Sequence, residues 1–307
     1  MISNTPTPED FYTSGKELLN FAWNSTAELL INFSQADFFG YDGTEISESY
    51  WAAAKRTLTT ALTVIQQAVE LIIKGRIAEV SPYLLISDTP SRWPSPYEKK
   101  PVDFERFRTI DAQDLIKVHD TFASTAFDSS FVDKFQNLRS IRNIVTHSAG
   151  KNITVQVAEV VESALYMHKS LFPSECWFSV RREFLRNSPG AQMEADEFAT
   201  NHACWEASIV KNMLKPVQVK DYLSVDKKQR SYFCPACLDD ASTNDKFDFR
   251  LAVLQPKGAE TTNIYCPVCN ATHPVQRVNC KNHDCDGNVI SPDSGRCLTC
   301  ADWQSDM

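Results

Sequence analysis

Residues 56–80 read RTLTTALTVIQQAVELIIKGRIAEV. Leu58, Leu62, Ile65, Val69, Ile72 and Ile73 recur at three- and four-residue steps, the spacing that lines one side of a helix. The period predicts one helix from Tyr50 to Val80 with this stripe in a core. Gln66, Gln67, Glu70 and Lys74 interrupt the apolar run, so the stretch predicts no membrane span.

The same period recurs on both sides. Residues 11–34 carry mixed three- and four-residue spacings and predict one or two helices. FFGYDGTEISES (38–49), with two glycines among polar residues, predicts a loop. Four prolines between 86 and 103 predict an irregular connection. Further helices are expected over Ala112–Thr125 (started by Asp111), Ser129–His147 (broken at Gly150), Thr154–Phe172 (ended by Pro173), and 191–214. No strand-like alternation stands out before residue 215. From there VQVKDYLSVDKKQRSYF (217–233) brings β-branched and aromatic runs, and a domain boundary is expected near 215–230.

Ten cysteines are unevenly placed: Cys176 and Cys204 stand alone, and eight lie between 234 and 300. The N-terminus shows neither a basic start nor an apolar segment, which predicts no signal peptide and a cytoplasmic location. In that compartment, clustered cysteines point to metal rather than disulfides. The pairs are Cys234/Cys237, Cys266/Cys269, Cys280/Cys285 and Cys297/Cys300. A Cys-x2-Cys turn presents two thiolates from one knuckle, and two knuckles complete a tetrahedral zinc site. Two structural Zn2+ are therefore expected, and no catalytic metal, because four thiolates leave no open position.

Two pairings are open: the sequential one, or Cys266/Cys269 with Cys280/Cys285 and the outer pairs together. His283 also has knuckle spacing to Cys280, although Cys285 is the preferred ligand. Cys176 and Cys204 read as small buried hydrophobes.

The net charge of −8 argues against broad attraction to nucleic acid. Residues 231–307 hold six Lys/Arg against ten Asp/Glu, and four-thiolate sites add negative charge, so this tail suits protein recognition better than phosphate binding. A phosphate-binding surface must be a local patch. Lys227, Lys228 and Arg230 form the densest basic cluster, beside Tyr232 and Phe233, a mixture that suits either single-stranded RNA or a solvated linker.

The helix expected over 129–147 carries Phe131, Phe135, Leu138, Ile141 and Val145 on one side, which is core. Its polar side holds Asn143 and His147, and Arg142 lies close to the edge of the apolar stripe. Asn143 and His147 lie about 40° apart on a regular helix, whereas Arg142 lies about 140° from His147. The guanidinium and imidazole would meet if the helix bends or if a second copy packs across it.

LRSIRNIVTH (138–147), in a helix of an antiparallel bundle, resembles the Arg-x4-6-His motif of the HEPN superfamily, including the polar residue after the arginine. AVELIIKGRIAEVSPYLL (68–85) resembles an early helix of the same family, and the resemblance covers roughly residues 55–172. It implies a metal-independent endoribonuclease acting as a homodimer, in antiviral defence or as a toxin. By that resemblance Arg142 would hold the scissile phosphate, His147 would transfer protons, and Asn143 would position either. Glu70 would reach the site, or pair with Lys74 one turn on. Arg139, one turn before Asn143 on the same polar side, reads either as an RNA contact or as a solvated charge.

The expected fold is therefore mainly α: an N-terminal helical extension (1–50), a HEPN-like antiparallel helical bundle (51–190), a helix and linker (191–230), and a small β-rich double zinc-ribbon domain (231–307). The expected activity cuts single-stranded RNA to 2′,3′-cyclic phosphate ends, with a protein trigger at the zinc tail. The competing readings are a non-catalytic dimerisation scaffold and a zinc-ribbon module that binds nucleic acid or a partner.

Overall fold

A computed structural model describes residues 2–94, 100–148, 154–193, 197–241, 247–258 and 260–304. The protein is mainly helical, with a small antiparallel sheet near the C-terminus. Among the described residues no helix is long and apolar enough to cross a membrane. The chain packs as two units. The first comprises residues 1–28 and 45–171, and the second residues 29–44 and 172–307.

The first unit is built on parts of two long helices, α1 (Pro8–Ser34) up to residue 28 and α2 (Gly43–Val80) from residue 45. Thr7 starts α1: its Oγ1 accepts the Asp10 amide, and Asp10 Oδ2 accepts the Thr7 amide in return. Pro8 then occupies the first helical position, where no N–H is needed. In α2 the stripe behaves as expected, since Leu58, Leu62, Ile65, Val69, Ile72 and Ile73 are all buried. Each contributes about 1.5–3 kcal/mol by leaving water.

Two glycines let α1 and α2 touch. A Cβ on Gly15 would stand 2.5 Å from Ile72 Cγ1, and one on Gly75 would stand 2.6 Å from Tyr12 Cε1. Tyr12 Oη donates to Glu79 Oε1 at 2.7 Å beside this crossing.

Three shorter helices complete the unit: α3 (Ala112–Phe122), α4 (Ser129–Ser148) and α5 (Val157–Leu171). Asp128 Oδ1 caps α4 by accepting the Phe131 amide at 2.8 Å. Phe131, Phe135 and Leu138 of α4 are buried, but Ile141 and Val145 are only half-buried, and Ile144 is 44% exposed. The apolar side of α4 thus runs out towards its C-terminus. The expected break at Gly150 lies outside the described residues. A two-residue parallel pair, β1 (Ile2–Ser3) with β2 (Val102–Asp103), ties the N-terminus to the proline-rich connection.

The second unit joins helices to the cysteine-rich tail. It contains α6 (Trp177–Arg186), α7 (Pro189–Met193), α8 (Phe198–Met213), α9 (Pro216–Leu223) and α10 (Pro235–Asp240). Its antiparallel sheet runs β3 (Val253–Leu254), β4 (Asn263–Cys266), β5 (Ala271–Pro274). Arg181 of α6 and Glu206 of α8 form a buried ion pair, with Nε and Nη2 each 3.0 Å from a carboxylate oxygen.

Several local expectations need correction. FFGYDGTEISES is a loop only up to Asp42, because Asp42 Oδ1 accepts the Thr44 amide at 2.7 Å and starts α2 at Gly43. The β-like reading of residues 217–223 fails: Pro216 opens a helix that Ser224 ends with a left-handed φ of 59°. The single helix expected over 191–214 is two, α7 and α8, and α6 is a further helix ahead of them. The packing units divide after residues 28, 44 and 171. Arg182 and Arg186 of α6 and Thr200 of α8 all reach Asp240 on α10, which binds these helices to the tail.

Candidate functional site

In the first unit a polar cavity of about 370 Å³ opens where α2, α3 and α4 approach. Arg139, Arg142 and Asn143 line it from α4, at the i, i+3, i+4 spacing that puts them on one face. Glu70 and Lys74 line it from α2, and Thr109 to Gln113 close it at the start of α3. Arg142 Nη1 donates to Asn143 Oδ1 at 3.1 Å, and Arg139 donates to Gln136. Glu70 accepts from Gln66, while Lys74 Nζ donates to Thr109 Oγ1 at 3.1 Å.

Three cations, Lys74, Arg139 and Arg142, therefore face two carboxylates, Glu70 and Asp111, and Asp111 is also held by Arg108 at 2.8 Å. Burial lowers the Lys74 ammonium from its ordinary 10.5, against the opposing pull of Glu70 and Asp111. Such a cavity offers a phosphate group a guanidinium fork and an ammonium.

His147 is not among the lining residues. It is exposed in the last turn of α4, four residues beyond Asn143. The cavity brings together four of the residues singled out from the sequence, Glu70, Arg139, Arg142 and Asn143, and leaves the imidazole outside. Lys74, Thr109, Asp111 and Gln113 are additional polar lining residues. Lys74 carries a signal, as a charge set into the apolar stripe one turn after Glu70; the other three arrive from a distant segment.

The basic cluster before the cysteines has other employment. Lys227 Nζ donates to the carbonyls of Asn212 and Leu214 at 2.7 and 2.6 Å, closing the C-terminus of α8. Arg230 pairs with Asp286 at 3.0 Å and lies over the Tyr232 ring. Tyr232 and Phe233 are buried, so neither ring is available for stacking on a base. Lys228 is exposed, and its amide donates to Asp226 Oδ1 at 2.9 Å.

The eight clustered cysteines form two groups of four. Cys234, Cys237, Cys266 and Cys269 form one, and Cys280, Cys285, Cys297 and Cys300 the other, with all four sulfurs of each group within 4.8 Å of one another. The sequential pairing is the one that forms, and Cys285 rather than the exposed His283 completes the second group. Sulfur–sulfur separations are 3.6 and 3.9 Å in the first group and 3.7 and 4.0 Å in the second.

Four sulfurs about 2.3 Å from one tetrahedral ion would stand about 3.8 Å apart, so both groups fit a metal ion. The separations are far too long for disulfides. Polar groups aim at these sulfurs: Arg182 and His273 in the first group, Gln304 and the Gly287 amide in the second. Cys176 and Cys204 are buried and stand outside both groups. No protein-family model, curated protein or solved structure matches the chain.

Proposed function

We propose that the first unit is a HEPN-type endoribonuclease that cuts single-stranded RNA without a catalytic metal. The observation that carries this reading is the seating of Arg139, Arg142 and Asn143 with Lys74 in one polar cavity on α4, the helix that also bears His147. A phosphodiester fits the cationic side of that cavity.

RNA supplies its own nucleophile. The 2′-hydroxyl loses its proton and attacks the adjacent phosphorus, the bond to the 5′-oxygen breaks, and the leaving oxygen takes a proton. The products are a 2′,3′-cyclic phosphate and a 5′-hydroxyl. Arg142 and Lys74 would stabilise the charge that builds on the phosphorane oxygens. Asn143 would hold the Arg142 guanidinium in place. Imidazole exchanges protons near neutrality, so His147 would serve in proton transfer.

His147 stands outside the cavity, which favours assembly from two chains. A second copy of α4 crossing the first would bring one chain's imidazole to the other's guanidinium. The half-buried Ile141 and Val145 and the exposed Ile144 supply apolar surface for that contact. The same separation favours the competing reading, a homodimeric scaffold with no chemistry.

Both cysteine groups would hold Zn2+ as structural ions, and the acidic tail would receive a protein trigger. A role in antiviral defence or as a toxin follows from the HEPN resemblance alone. The test is a matched pair of single strands, one RNA and one DNA of the same sequence. RNA alone should be cut, because DNA lacks the attacking 2′-hydroxyl. Cleavage of both strands, or of neither in the presence of the physiological trigger, would remove the ribonuclease.

A further inference from the structure

The two cysteine groups are unequal in ways their shared composition hides. In the first, three sulfur-bearing residues are buried, and the fourth, Cys269, has His273 Nε2 at 3.2 Å. The Arg182 guanidinium lies 3.9 Å from Cys237 Sγ and offsets thiolate charge from within the protein. In the second group only Cys297 is buried, and the other three are half-exposed. The donors to those sulfurs are neutral: Gln304 Nε2 at 3.4 Å from Cys280 and the Gly287 amide at 3.4 Å from Cys285.

We propose that the second group is an oxidation-sensitive, releasable metal site, while the first is a permanent one. The inference rests on the reading that both groups bind Zn2+. Two thiolates of the second group, such as Cys280 and Cys300 with sulfurs 3.7 Å apart, lose one electron each to hydrogen peroxide. The peroxide oxygen–oxygen bond breaks and leaves as two hydroxides, a sulfur–sulfur bond forms, and the ion loses two ligands and departs. Exposure admits the oxidant to these thiolates. The cation beside this group, Arg230, acts on Cys285 but is paired with Asp286 at 3.0 Å. Burial and the Arg182 and His273 contacts shield the first group. The tail would then change its surface under oxidation while its core stays folded.

The experiment uses the full chain with its zinc content measured first; fewer than two ions per chain would defeat the metal reading itself. The protein is treated with hydrogen peroxide in the presence of a chromogenic zinc chelator. One equivalent should appear at least about tenfold faster than the other, and Arg182→Gln with His273→Phe should narrow that gap by speeding the slow phase, as loss of outer contacts weakens metal sites. Peptide mapping at the one-equivalent point should place the new disulfides within Cys280–Cys300. A Cys280→Ser/Cys300→Ser variant should lack the fast phase. Two ions leaving at one rate, or disulfides appearing first among Cys234–Cys269 of the wild type, would overturn the proposal whether or not that variant folds.

Discussion

Arg142 donates to Asn143 Oδ1 at 3.1 Å, so two side chains adjacent in the chain are locked together beside one cavity, while His147 stands in solvent a turn away. The two ends of the motif thus have different expected losses. Arg142→Ala should reduce kcat about 10²–10³-fold, the scale for removing one preorganised donor to a developing oxyanion. Arg142→Lys should restore little, since an ammonium lacks the fork proposed to hold phosphate together with the Asn143 carboxamide. His147→Ala should reduce kcat about 10²–10⁴-fold with KM little changed, because the role proposed for it is proton transfer alone. Steady-state cleavage of a labelled RNA measures both, and a His147→Ala enzyme of undiminished kcat would remove the imidazole from the mechanism.

Lys74 sets stability against function. Burial depresses its folded-state pKa below 10.5, so the folded protein resists holding this proton more than the unfolded chain does. The resulting destabilisation is fully present below the folded pKa and fades as pH rises through it towards 10.5. Lys74→Met should therefore raise Tm at pH 7, by a margin that narrows in alkali, while weakening RNA cleavage. Thermal melts across pH 7–10 beside activity assays check this. A variant less stable than wild type would show that the Glu70 and Asp111 attractions outweigh burial.

Much of this was legible in the sequence, and the exceptions have physical causes. The α2 stripe announced itself because six apolar residues repeat with the helical period and all are buried. The cysteine knuckles were equally plain, since spacing alone fixes their geometry; their pairing was not, because it depends on how β4 and β5 fold back. The start of α2 was hidden behind two glycines, although Asp42 capping Thr44 outweighs them. The cavity was half legible: one helical face gave Arg139, Arg142 and Asn143, but Thr109 to Gln113 come from a connection with no period to read. The Lys227–Arg230 cluster misled because charge in a sequence does not reveal that a helix terminus and Asp286 already use it.

The basic residues can be separated by salt. Arg139→Ala should weaken RNA binding and reduce the slope of log affinity against log salt by about one. Lys227→Ala should leave affinity within about twofold and instead lower stability by about 0.3–1 kcal/mol, the worth of a cation at a helix C-terminus. Fluorescence anisotropy over a salt series, beside urea melts, reads both. A larger binding loss at Lys227 than at Arg139 would move the RNA path to the second unit.

The Arg181–Glu206 pair should behave as a buried ion pair. Glu206→Ala, which leaves the guanidinium buried without that carboxylate, should cost about 3–5 kcal/mol. Arg181→Met with Glu206→Leu should cost far less, because no charge is then left inside. Denaturant unfolding of the three proteins decides it, and equal losses for the single and double variants would show that shape rather than charge dominates there.

The most direct measurement is cleavage of a mixed RNA pool in EDTA by the wild type and by Arg142→Ala/His147→Ala, with 3′ ends analysed and folding followed by circular dichroism in the same buffer. A ribonuclease of this kind yields 2′,3′-cyclic phosphate ends from the wild type and none from the double variant. Cyclic ends from both proteins, or wild-type cutting that needs an added divalent ion, would contradict it.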